Sequence, residues 1–164
     1  MHKTILNLIS IEKQIKSNLN DLNKFKLPKI IAVSKTFKLK NILPLIEYGH
    51  EDFGENKVQE AIDKWTAIKE TKKNINLHLI GKLQSNKVKF AVKLFDYIHS
   101  VDSEKLAKKI SDEQNKLNKR IKIFIQVNIG EEDQKSGINK NELNNLVIYC
   151  KNIGNDCFDS SFTK

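Results

Sequence analysis

One amine in this chain is placed to do covalent chemistry. The stretch Ile30-Ile31-Ala32-Val33-Ser34-Lys35-Thr36 is an apolar run that closes on a lysine. Its β-branched content and the preceding Pro28 read as a buried strand, with Lys35 at the strand end. A lysine attacks an aldehyde only as the neutral amine, whereas an ordinary lysine in water titrates near 10.4. Apolar neighbours at period two, Ile31 and Val33, would disfavour the charged form. The competing reading is a solvated lysine at a strand terminus. Arg120 is the only arginine among 29 Lys+Arg, so any single lysine starts as one of many.

Other polar residues fall at comparable places. Asn56 follows Asp52-Phe53-Gly54-Glu55, Gly81 and Lys82 follow Leu77-His78-Leu79-Ile80, Ser100 and Asp102 close the segment from Phe95, and Asn128 ends the run from Ile121. In parallel α/β architectures ligands bind beyond the carboxyl ends of the strands, so these groups gather around Lys35 at one rim. Small polar groups around one amine suit a small polar cofactor. His78 lies inside its strand. It either points toward such a ligand or is a core histidine bonded to a neighbour. No glycine-rich dinucleotide or Walker loop occurs. Asp52 with Glu55 is a poor pair for glycosidase chemistry, because Glu55 reads as the start of a helix. Nothing in the sequence brings Cys150 and His99 together as a thiol-imidazole pair.

The elements that must position these groups follow from periodicity. Ile5, Leu8, Ile11, Ile15, Leu19 and Leu22 recur every three or four residues and predict an amphipathic helix over 4–23. Five strand-helix units follow. The helices carry Leu39, Ile42, Leu43 and Ile46 up to Gly49; Val58, Ala61, Ile62 and Trp65; Val88, Ala91 and Val92; Leu106 and Ile110 behind a Ser103 cap; and Leu143, Leu146, Val147 and Cys150 behind Asn139 and Glu142. Such alternation is the signature of a parallel α/β sheet.

Composition narrows the function classes. The net charge of +9 invites a nucleic-acid partner, but the lysines are spread along the chain and the guanidinium best suited to phosphate and base readout occurs once. No apolar run approaches the roughly 20 residues of a membrane span, and no signal peptide is evident. Cys150 and Cys157 lack zinc-ligand companions, so no metal site is expected. A reduced, cytoplasmic protein is the expectation.

Taken together, Ala32-Val33-Ser34-Lys35-Thr36, Asp52-Phe53-Gly54-Glu55-Asn56 with Val58-Gln59-Glu60, His78 to Lys87, Ile98-His99-Ser100-Val101-Asp102, and Gln126-Val127-Asn128 with Lys135-Ser136-Gly137 resemble the pyridoxal phosphate homeostasis proteins. The resemblance runs from near residue 1 to about residue 150. It implies an α/β fold similar to the N-terminal domain of alanine racemase: here an incomplete (β/α) TIM-type barrel of about five parallel strands plus an N-terminal helix. It implies pyridoxal 5'-phosphate held as a Schiff base on Lys35, with Asn56, His78 and Asn128 near the cofactor. It further implies a role in intracellular cofactor homeostasis without a catalytic residue, with apoenzymes that use the cofactor as possible recipients. An amino-acid racemase-like enzyme, and a non-functional fragment, are the alternatives. Residues 151–164 do not resemble the family's continuation and are expected to be a disordered tail on a C-terminally truncated barrel. Five strands cannot close an eight-stranded barrel, so open edges, low solubility or association are expected.

Overall fold

The computed structural model describes residues 1–19, 28–130 and 136–153. Of the tail expected to be disordered over 151–164, Lys151 and Asn152 instead complete the last helix, and positions from 154 onward lie outside the described residues. Five strands, β1 (Ala32–Val33), β2 (Asp52–Glu55), β3 (Asn76–Leu79), β4 (Tyr97–Val101) and β5 (Lys122–Ile125), form one parallel sheet in the order β1-β2-β3-β4-β5. They are joined by α2 (Leu39–Tyr48), α3 (Val58–Thr71), α4 (Val88–Leu94) and α5 (Glu104–Lys116), with α1 (Lys3–Leu19) before the sheet and α6 (Leu143–Asn152) after it. Each new strand adds beside the last, as in a (β/α) barrel, and β1 and β5 are the two ends of the open sheet.

Period two explains how the sheet divides into two faces. Phe53, Leu77, Leu79, Ile98, Ile123 and Ile125 point toward the helices and join one core with Trp65, Val92, Leu106 and Ile110. The alternate residues, Gly54, His78, Tyr97 and Phe124, lie on the opposite face. Several local features match the sequence reading. Gly49 ends α2 with φ +97, its N–H bonded to the Ile46 carbonyl, and Ser103 accepts the Leu106 N–H at 3.3 Å to start α5. The Asn139 N–H donates to the Glu142 carboxylate at 3.3 Å, opening a 3-10 turn that runs into α6.

Three expectations are corrected. The strand expected over Ile30–Lys35 is only two residues long, because only Ala32 and Val33 find partners, on Phe53 and Gly54. Phe95 does not belong to β4; it caps α4, its N–H bonded to the Ala91 carbonyl at 2.8 Å. Among the described residues the amphipathic face of α1 fully buries only Leu8, and Ile11 is 45% exposed; α1 packs chiefly against α2.

Candidate functional site

Lys35 lies two residues beyond β1, in a turn closed by the Phe37 N–H donating to the Ser34 carbonyl at 3.0 Å. The residue is exposed, and among the described residues none pairs with its ammonium. Only part of the apolar wall expected around it forms: Ile31 is half-buried, while Val33, paired beside Gly54, is 48% exposed. Lys35 opens instead onto a basin of about 690 Å³ shared with Lys38, Lys57 and Lys64. Lys57 is held by Glu60 at 2.6 Å.

A buried carboxylate holds this corner together, and the sequence reading misplaced it. Glu55 does not begin a helix. It is the last residue of β2, is fully buried, and turns toward the helix layer with Phe53. Its Oε1 accepts from Ser34 Oγ at 2.7 Å, Lys64 Nζ at 2.8 Å and Trp65 Nε1 at 3.0 Å. Lys64 Nζ also donates to the Ser34 carbonyl at 2.8 Å. Glu55 Oε2 is buried with no partner among the described residues. A carboxylate survives at such depth only when paired and hydrogen-bonded, and all of that compensation arrives through one oxygen. The signal was present in the sequence: alternation carried one residue past Gly54 puts Glu55 on the face of Phe53.

Asn56 and Asn128 are both half-buried, and each sits against a glycine. A Cβ on Gly81 would fall 2.2 Å from the Asn56 carbonyl oxygen. A Cβ on Gly137, at φ +128, would fall 2.8 Å from the Asn128 N–H nitrogen. That nitrogen donates to the Ile138 carbonyl at 2.8 Å, and the Ile138 N–H returns to the Gln126 carbonyl at 2.9 Å. Two close backbone approaches, possible only without a side chain, therefore set the two asparagines.

His78 combines both readings offered for it. It is buried and bonded to neighbours, and it lies on the helix-free face. Its Nε2 is 3.0 Å from Asp52 Oδ1, and its Nδ1 is 3.0 Å from His99 Nε2. Burial holds the imidazole below its usual range, against the opposing pull of Asp52. An ionised carboxylate only accepts, so Nε2 carries the proton of the neutral ring and Nδ1 accepts from His99. Tyr97 stacks on His78 with ring centroids 4.1 Å apart, and Phe124 stacks on His99 at 4.3 Å. Asp52, Tyr97, His99 and Phe124 were missed because their grouping around His78 depends on the register of four adjacent strands, β2 to β5. Cys150 is buried in the helix layer, on the other side of the sheet from His99, and the two form no pair. Burial, with Glu104 adding to it, pushes the Cys150 thiol up to about 11.

The comparisons with known proteins bear on this arrangement. A family model described as alanine racemase, N-terminal domain, matches residues 12–162. The chain belongs to the alanine racemase N-terminal domain family. Within it, the chain is 36% identical over 129 residues to the pyridoxal phosphate homeostasis protein of Pasteurella multocida, covering 79% of this chain and 55% of that protein. It is 32% identical over 152 residues to the protein of the same name from Haemophilus influenzae, covering 92% and 64%. The chain thus spans between about half and two thirds of the length of these curated relatives. The solved structure of PipY from Synechococcus elongatus with PLP bound is 37% identical, with a TM-score of 0.64, over 80% of this chain and 63% of that one. The family resemblance drawn from the motifs, and the barrel-type fold it implied, are borne out.

Proposed function

We infer that this chain binds pyridoxal 5'-phosphate through Lys35 and takes part in keeping that cofactor available within the cell. The carrying observation is the exposed Lys35 amine, without a partner among the described residues, on a turn whose preceding residue is fixed by a buried network. When bound, the cofactor supplies an aldehyde that condenses with a neutral primary amine, with loss of water. The residues present suit its aldehyde end. Lys35 offers the amine, Asn56 and Asn128 offer fixed polar groups at the same rim, and the helix-free face offers His78 with its aromatic neighbours. The relatives' name and the PLP-bound PipY structure support the same reading. Binding without turnover of an amino acid is part of it, as is delivery to apoenzymes. No helix among the described residues is long and apolar enough to cross a membrane. The setting we propose is the cytoplasm.

The test is incubation of the chain with pyridoxal 5'-phosphate, reduction with borohydride and peptide mapping. Selective labelling of Lys35 is expected, and Lys35→Ala should abolish it. Labelling scattered over the many other lysines, unchanged by that substitution, would overturn the reading. Incubation of the loaded chain with single amino acids should yield no racemised or transaminated product.

A further inference from the structure

We propose that Glu55 and Lys64 are positioning residues for the Lys35 amine, clamping Ser34 so that the backbone from which Lys35 projects is fixed. The inference rests on the cofactor-binding reading above and deepens it.

Every polar group of Ser34 is engaged. Its N–H donates to the Gly54 carbonyl at 2.9 Å and its Oγ to Glu55 Oε1 at 2.7 Å. Its carbonyl accepts from Lys64 Nζ at 2.8 Å and from the Phe37 N–H at 3.0 Å. Ser34 is 3% exposed, while its neighbour Lys35 is exposed and has no partner among the described residues. A two-residue strand at the end of a sheet has little ladder of its own to hold this corner. The clamp supplies what the ladder lacks, and it reaches across from α3 through Lys64 and Trp65. Covalent capture depends on a reactive group held in a narrow range of positions. The clamp also occupies a competitor: the Lys64 ammonium, on the same basin, is bound to Glu55 and to Ser34. Lys38, in the same basin and without a partner among the described residues, is the natural internal reference.

The experiment measures the Lys35:Lys38 labelling ratio after pyridoxal 5'-phosphate and borohydride, on the full chain, with circular dichroism as the check on folding. The parent should favour Lys35. Lys64→Met removes the bond to the Ser34 carbonyl and leaves Glu55 buried without its counter-charge. The ratio should fall about tenfold, the scale of one charge-assisted hydrogen bond, and the fold should weaken. The double variant Glu55→Gln/Lys64→Met removes the buried charge along with its partner, so the fold should recover while the ratio stays low. Ser34→Ala, which leaves the ion pair intact, should lower the ratio about threefold. A double variant, or Ser34→Ala, that folds like the parent and keeps the parental ratio would overturn the positioning role. A parent chain with no preference for Lys35 would overturn the cofactor-binding reading itself, and this inference with it.

Discussion

Replacing Gly81 by alanine tests whether the rim is built by close backbone approach. The added Cβ would lie 2.2 Å from the Asn56 carbonyl oxygen and 2.8 Å from both its carbonyl carbon and its Cα. Ordinary contacts are near 3.5 Å, so the β2 and β3 ends must part by about 1 Å. The obstructing atoms are backbone, with no rotamer to relieve them. Overpacking of this kind costs about 1–3 kcal/mol, and about 1 kcal/mol moves the melting point of a domain this size by about 2–4 °C. The expected drop is therefore about 2–12 °C by circular dichroism, with Lys35 labelling reduced because Asn56 is displaced. Gly49→Asn is the control for labelling: at φ +97 the substitution strains the backbone and lowers the melting point, but the site has open space and stands before β2, at the other end of that strand from Asn56, so labelling should be unchanged. A Gly81→Ala chain melting within about 1 °C of the parent and labelling normally would refute the argument.

Three further outcomes are expected. The His78 pKa is lowered in the fold, so below the unperturbed value of about 6.5 the unfolded chain binds more protons. Stability should be fully present above that value and fall as the pH drops through it, until the pH passes below the depressed folded value; urea titrations of the parent and His78→Phe at several pH values would show whether this slope belongs to His78. Trp65→Phe keeps the aromatic bulk but removes the 3.0 Å bond to Glu55, so a loss of about 1 kcal/mol in urea unfolding is expected; no change would show that this bond adds little to the hub. With its thiol pushed up to about 11, Cys150 is a thiolate in only about a thousandth of molecules at pH 8, so native protein should leave it unlabelled by iodoacetamide while unfolded protein labels it readily; rapid native labelling would contradict its burial.

The sequence alone determined the order and type of elements, because each amphipathic helix and each alternating strand is written in local spacing. Ile121, Ile123 and Ile125 are buried where period two put them, and Ser103 caps the helix it precedes. The chain's motifs determined the family. What only the tertiary structure decided was which groups meet across elements. Glu55 becomes a hub because Ser34 directly follows the neighbouring strand β1 and Lys64 and Trp65 lie on α3. Asp52, His78 and His99 become a hydrogen-bonded row because the register of β2, β3 and β4 aligns them. Lys35 illustrates the same limit. Its position after an apolar run was legible, but its exposure was not, since that depends on the turn that carries it beyond β1 and on the basin left between that turn, α2 and α3.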